Sequence, residues 1–363
     1  MRRREKATIL VVGDHVDYDS YRKLSKEGRF IRENGFDYRN LPYIRFLNGK
    51  FPKVETKKVI IFLFFPFYYW NHKIEHRGYR GVYGDHTFYK KFQQISWELF
   101  DIIRSWIPDK EIILVNDPRI SAFYRNKLAA MDVLIKNGIN IPRRIRSRKA
   151  GEIISLLENG HKLFIKPMCG SLGKGMTFLQ LGNWQTNFRF NNKKIVSRKA
   201  DKGWRFREIT GNAAFLRSLL KKDVFIEEAV DLLNIKGDKV DFRVYTFFNK
   251  VLYIYPRRSS MEAVTTNITQ GGKGDPSLLK VIPGKMLNKV KRAALMAAKG
   301  LKLNFAGVDV IIDSKMKDVY VVDVNMFPGF PKRRTLNLGQ AMIKELRRLN
   351  GKGALRYEKG SDI

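Results

Sequence analysis

The chain opens with unbroken apolar runs. Residues 7–14 form one, closed by Gly13-Asp14, residues 59–65 a second and residues 111–116 a third. Short runs of this kind, rich in β-branched residues and bounded by turn formers, predict strands buried on both faces. Between the second and third, residues 92–106 place apolar side chains at helical spacing. Strands alternating with a helix predict a small α/β layer over residues 1–120.

The two periods continue downstream. One helix is predicted from Asn126-Lys127-Leu128 to Asn137, stopped by Gly138 and then Ile141-Pro142. A second covers 150–158 and stops at Asn159-Gly160. A short strand, 162–167, runs into Met168-Cys169-Gly170-Ser171-Leu172-Gly173-Lys174-Gly175-Met176, and another strand follows to Leu181. Glycines let backbone amides approach an anion, and a lysine adds charge. Met176 stands where a Walker A loop needs Lys-Ser/Thr, and a strand follows where a dinucleotide fingerprint needs a helix. A glycine hairpin over a phosphate remains. Residues 183–207 lack periodicity and read as hairpins or an irregular flap, 210–220 as a helix, and 223–230 as a strand entering a connector.

Residues 238–248 form a strand with Asp241 and Arg243 two apart on one face, the spacing of a structural salt bridge or of two site residues. Residues 251–255 lead into Pro256-Arg257-Arg258, and a turn-forming stretch runs from Asn267 through Gly271-Gly272 to Gly274. An Ala-rich helix over 286–299 precedes two strands, 306–312 and 319–325. The first holds a lone carboxylate, Asp309, in an apolar run, which is costly to bury unpaired. The second ends in Asp323 and Asn325, two apart and so on one face. Together the three offer hard oxygen ligands suited to magnesium. After Pro331 the pattern is a basic helix that reads as a solvated, frayed end.

Composition changes this picture in three ways. The 363 residues suffice for two or three domains with a sizeable core, and 44% hydrophobic content excludes a disordered chain. Lys and Arg number 70 against 35 Asp and Glu, a formal charge of +35 that suits nucleic acid, anionic surfaces or acidic small molecules, or reflects a solvated basic surface. The single cysteine, Cys169, excludes an internal disulfide framework and fits a reducing, cytoplasmic setting. The longest apolar run, 59–70, is too short to span a bilayer and contains Pro66, so no transmembrane segment is expected. The aromatic and basic segment 68–89 holds His72, His76, His86, Arg77 and Arg80. Without cysteines or regular ligand spacing it reads as a packed aromatic layer or a substrate-facing loop, not a zinc site.

The order of these features resembles the ATP-grasp superfamily over residues 120–335, and within it the YheC/YheD-like group. Ligases of the ribosomal S6 modification type and glutathione synthetase are more distant. The resemblance implies an N-terminal α/β domain (1–120) followed by an α+β ATP-grasp fold. Its two subdomains, 121–226 and 227–335, would sandwich ATP, with 336–363 as a basic helix and tail. It implies that Lys127 and Lys166 grip ATP phosphates under backbone amides of Ser171, Gly173 and Gly175. The hinge 225–230 would serve adenine and ribose through Glu227, Glu228 and Val230. Asp309, Asp323 and Asn325 would hold one or two magnesium ions. Arg257 and Asn267 would flank the transferred phosphoryl group, with Arg243, Arg258, Gly271 and Gly272 towards the substrate. Two positions depart from the pattern. Thr265 stands where the S6-type ligases carry an arginine, and Asp323 where glutamate is common.

The function so implied is ligation of a carboxylate to an amine through an acyl phosphate, with ATP and magnesium. Few classical acid–base residues are needed for that reaction, which fits a chain with five histidines. Two other classes remain at this point: a kinase acting on a hydroxyl of an anionic substrate, and a non-catalytic structural or nucleic-acid-binding protein. Neither the acceptor nor the oligomeric state can be read from these residues.

Overall fold

The computed structural model describes residues 6–14, 19–75, 82–188, 190–191, 194–195 and 204–360. His76, Arg77, Arg80 and part of the 183–207 flap lie outside them.

Three sheets organise the chain. In the first, the parallel strands Asp37–Pro42, Ala7–Gly13, Lys58–Leu63 and Glu111–Val115 lie side by side in that order. Every residue of Ala7–Gly13 is buried, because the strand is interior and covered on both faces. One cover is the helix His86–Trp106, whose Phe88, Phe92, Ile95, Leu99 and Ile103 recur at helical spacing against Leu10 and Ile61. Asp85 caps it, accepting from the Phe88 amide at 3.1 Å. The helix begins one to two turns before the predicted residue 92, and Phe88, at i−4 from Phe92, continues the same apolar stripe. The helices Asp19–Ser25 and Gly28–Glu33 and the edge strand Asp37–Pro42 are likewise unpredicted; the strand buries just Tyr38 and Leu41.

The second sheet is antiparallel and contains, in order, Asn183–Thr186, Thr177–Gln180, Leu163–Pro167 and Val224–Glu228, with short strands at both edges. Helices Ala150–Glu158 and Ala213–Leu220 bury Ile153, Leu157, Phe215 and Leu219 against it. The glycine loop joins two neighbouring strands of this sheet, as the hairpin reading requires.

The third sheet, also antiparallel, orders Lys250–Ser260, Asp238–Phe247, Phe305–Ile312 and Val319–Asn325. Period-two alternation divides its residues cleanly. Val240, Phe242, Val244, Val308 and Val310 pack under the helix Gly284–Gly300, on Val290, Ala294 and Ala297. Asp241, Arg243, Tyr245 and Asp309 line a cleft on the other side.

The C-terminal segment corrects the reading of a solvated, frayed end. Leu338, Met342, Ile343 and Leu346 of the helix Leu338–Gly351 are fully buried among Ile9, Ile60 and Phe247, between the first and third sheets. The strand Glu358–Lys359 then pairs antiparallel with Glu111–Val115. A charged outer face hides the helix's apolar stripe from a charge count. Asn116, buried at the end of its strand, ties the same sheets together. Its amide donates to Phe305 O at 2.7 Å and Met326 O at 3.2 Å and accepts from Phe305 N at 2.8 Å. Among the described residues no helix is long and apolar enough to cross a membrane.

Candidate active site

Two of the candidate cation ligands are aimed by a register shift. Asp309 pairs with Asp323, but Val310 pairs with Val321, so Val322 is an extra residue in its strand. Val321 points into the core under the helix, and strict alternation would send Asp323 after it. The bulge reverses the parity, so Val324 is buried and Asp323 and Asn325 turn to the cleft. Asn325 Nδ2 lies 3.5 Å from both Asp309 Oδ2 and Asp323 Oδ2, so the three predicted ligands do converge.

Each carboxylate there faces a cation. Arg243 stands opposite Asp309 and donates to both its oxygens, at 2.9 Å to Oδ2. Arg257 stands opposite Asp241, with which it forms a bidentate pair at 2.7 and 2.5 Å, and also lies 3.1 Å from Asp309. Of the two readings of Asp241 and Arg243, a salt bridge with each other or two site residues, the first does not hold. Residues two apart on one strand point alike, and each finds its partner across the sheet. Burial disfavours charge on both guanidiniums, but Asp309 beside Arg243 and Asp241 beside Arg257 outweigh it and raise both above the ordinary arginine value. Burial likewise pushes the Asp323 carboxyl up, yet Lys127, Lys166 and Arg243 together hold it below the usual aspartate range. Lys127, at the start of the helix Lys127–Lys136, donates directly to Asp323.

The opposite wall comes from the second sheet. Lys166 reaches Glu227 of the neighbouring strand, whose Oε2 is buried without a partner. The glycine hairpin overhangs this wall. Leu172, Gly173 and Gly175 all have positive φ, and a Cβ on Gly175 would press Phe188 at 3.0 Å. Asn187, buried in the flap region, holds the hairpin by donating to Gly173 O and accepting from Met176 N, both at 2.7 Å. The Thr269 hydroxyl donates to Leu172 O at 2.8 Å and its backbone amide to Asn267 Oδ1 at 3.0 Å, which brings Asn267 against the loop. The cleft is about 470 Å³ and is lined by seven basic and four acidic side chains. That surplus of positive charge suits a polyphosphate.

Among the described residues no group of three His, Cys, Asp or Glu is placed to hold a metal, and His76 of the 68–89 segment lies outside them. His72 instead stacks on Tyr68 at 4.1 Å. Magnesium needs less, since it keeps several waters and takes one or two carboxylates plus substrate phosphates. Asp323, Asn325 and Asp309 fit that donor set.

A family model for YheC/D-like ATP-grasp matches residues 116–350. The chain belongs to the YheC/D-like ATP-grasp family. Two curated relatives are named probable alpha-L-glutamate ligases. The one from Marinobacter nauticus is 25% identical over 207 residues, 56% of this chain and 56% of the relative. The one from Vibrio atlanticus is 28% identical over 208 residues, with 56% of each covered. The chain therefore spans little more than half the length of the curated relatives it matches. Among solved structures, it is similar to a Chryseobacterium gregarium RiPP-associated ATP-grasp ligase in complex with ADP and a leader and core peptide. The TM-score is 0.58 at 11% identity, covering 98% of this chain and 99% of that one. The macrocyclase MdnC of Microcystis aeruginosa, bound with its precursor peptide MdnA, gives a TM-score of 0.56 at 12% identity, with 94% and 99% covered. At those identities the likeness speaks for the ATP-grasp fold alone.

Not every candidate residue of this ATP-grasp chain lines the cleft. Arg258 points away from Arg257, as alternation demands, and is held by Asp238 and Asp275. Glu228 and Val230 line a separate hollow on the far side of the hinge, where Glu228 takes Arg143 at 2.5 and 2.8 Å and His161 at 2.7 Å. Glu227 does not line the cleft either: it is buried beneath Lys166, with Oε2 unpaired among the described residues. Gly271 and Gly272 lie behind Asn267: Gly271 has φ of 102°, and a Cβ on Gly272 would sit 1.9 Å from Thr266 O. They shape the Asn267 turn. Sequence reasoning passed over Asn187, Asn116 and Tyr83, whose hydroxyl meets Ser171 Oγ at 2.9 Å. Asparagines beside a glycine loop or at a strand end were the available signal. Cys169 is buried, and burial pushes its thiol up to about 12, away from the thiolate a nucleophile needs.

Proposed function

We propose that this chain is an ATP- and magnesium-dependent carboxylate–amine ligase. A carboxylate oxygen attacks the γ-phosphorus of ATP and displaces ADP, giving an acyl phosphate. An amine nitrogen then attacks the acyl carbon, phosphate leaves, and the amine's proton passes to the medium. The observation that carries this reading is the cleft itself: Lys127 and Lys166 come from two different parts of the fold, with the glycine hairpin above and Asp309, Asp323 and Asn325 opposite. Positioning and charge neutralisation are most of what such a transfer asks of a protein.

The lysines act as point charges on phosphate oxygens, and the hairpin amides cover them. Glu227, buried beneath Lys166, holds that lysine in place. Arg257, held between Asp241 and Asp309, stabilises charge as the phosphoryl group moves. Magnesium, when bound, would neutralise and orient the phosphates, with Asp323 and Asn325 as its principal ligands. Both oxygens of Asp309 already accept from Arg243, which supports one tightly held ion instead of two. The relatives' names, and the peptides found with the solved neighbours, support an amino acid or peptide as substrate.

The test is phosphate release from ATP with purified full chain, magnesium, a carboxylate and an amine. Release that needs both substrates, and disappears in Asp309→Asn plus Asp323→Asn with the fold retained, is the expected result. A stable phosphoester without free phosphate would favour a kinase. Undiminished turnover in the double variant would overturn the site.

A further inference from the structure

Beside the nucleotide cleft lies a second cavity of about 200 Å³. Phe65, Phe67, Trp70, Tyr124, Met131 and Phe327 give it mostly apolar walls. Lys127, Ser171, Asp323 and Asn325 line both spaces, so the two meet where the acyl phosphate would form. The volume lies below the roughly 300–1,000 Å³ of pockets for drug-sized ligands. Its occupant is therefore a small molecule, of about the size of one amino acid.

Arg125 is the feature without an explanation. Its guanidinium sits among three rings, 5.6 Å from the centroid of Phe65, 5.3 Å from Trp70 and 5.6 Å from Phe92. Its Nη2 donates to Ser171 Oγ at 3.2 Å, while its Nε is buried with no acceptor. No carboxylate pairs with it among the described residues, whereas Arg243 and Arg257 in the neighbouring cleft are each paired. Glu75, also in the lining, accepts from Trp70 Nε1 at 2.9 Å. A half-buried guanidinium with no carboxylate beside it still has donors to satisfy, and a bidentate carboxylate is what it binds best.

We propose that this cavity is the acceptor pocket and that its ligand is an amino acid with an apolar or aromatic side chain. The α-carboxylate pairs with Arg125, the side chain lies on the aromatic wall, and the amine faces the boundary with the nucleotide cleft. The proposal rests on the ligase reading and supplies what Thr265 lacks, an arginine for the substrate's carboxylate. Glutamate, with a second carboxylate to desolvate against the aromatic wall, is disfavoured.

Calorimetric titration of the full chain, holding magnesium and a non-hydrolysable ATP analogue, tests this with L-phenylalanine, L-phenylalaninamide and L-glutamate. L-Phenylalanine is expected to bind, and removing either its charge (the amide) or its partner (Arg125→Gln) to weaken binding about 10- to 100-fold, the loss of one charge-assisted pair. The amide comparison uses unaltered protein, so it holds even if the variant misfolds. Equal affinity for acid and amide, tighter binding of glutamate, or no binding of phenylalanine overturns the proposal. Binding requires no turnover, so a failure of the ligase reading shows separately, as absent phosphate release with phenylalanine still bound.

Discussion

Arg257 and Asp241 stand directly opposite each other on neighbouring strands and form a bidentate ion pair in which both side chains are buried. A buried pair of this kind adds little net stability while intact, but removing one partner strands the other's charge. Asp241→Ala is therefore expected to cost about 3–5 kcal/mol. The double variant Asp241→Leu plus Arg257→Met should recover much of that stability but none of the turnover. Urea denaturation of the three proteins checks this. Equal stability of Asp241→Ala and the parent would show that the pair is not buried in solution.

That pair also marks where sequence reasoning stops. Strands 7–14, 59–65 and 306–312 were legible because interior strands carry nearly continuous apolar runs, and 319–325, at the edge of its sheet, because its β-branched run ends in two polar residues. Asp309, Asp323 and Asn325 stood out as polar atoms in such runs. What could not be read is which neighbour each would meet. Spacing within one strand suggested Asp241 with Arg243, but sheet register joins Asp241 to Arg257 and Arg243 to Asp309. The bulge at Val322 is equally silent in sequence, although without it Asp323 would point into the core. The C-terminal helix itself was legible, but its docking was not, because Lys344, Arg347 and Arg348 on its outer face mask the buried stripe.

The Asn267 turn depends on two glycines for different reasons. Gly271 has open space around it but a φ of 102°, so Gly271→Ala carries backbone strain alone, on the order of 1–2 kcal/mol. Gly272→Ala would drive a Cβ into Thr266 O, 1.9 Å away, and only a backbone movement relieves that. Gly272→Ala is expected to lower kcat/KM by about 100-fold, the effect of misplacing a positioning group by an ångström. Gly271→Ala should retain most activity. Steady-state kinetics of both variants decide it; a Gly272→Ala enzyme as active as Gly271→Ala would mean that the turn itself is dispensable.

Acid should act partly through Asp323. Its folded carboxyl is held low, against burial, by Lys127, Lys166 and Arg243. A depressed carboxyl contributes stability at pH values above its unfolded pKa of about 3.9 and loses it as pH falls through the lower folded value. Asp323→Asn is thus expected to be less stable than the parent at pH 7, with the gap closing below about pH 4. Guanidinium midpoints measured at pH 7 and pH 3 make the comparison. A gap that stays constant with pH would exclude the ion pair as its source.

The C-terminal helix is expected to behave as core, not tail. Ile343 is fully buried where the first and third sheets converge, and Glu345 on the same helix accepts from Lys250 at 2.7 Å and from Arg348 at 3.0 Å. Ile343→Ala deletes buried methyl groups at a junction that cannot collapse without moving two sheets, so a loss of about 2–5 kcal/mol is expected. Truncation after Pro331 should expose the apolar faces of Ile9, Ile60 and Phe247 and give aggregation instead of a shortened soluble enzyme. The same helix braces the sheet that carries Arg243 and Asp309, so activity should fall with stability in Ile343→Ala and return at lower temperature. Thermal melting alongside phosphate release at two temperatures measures both; a truncated chain that melts cooperatively near the parent's Tm would exclude this role.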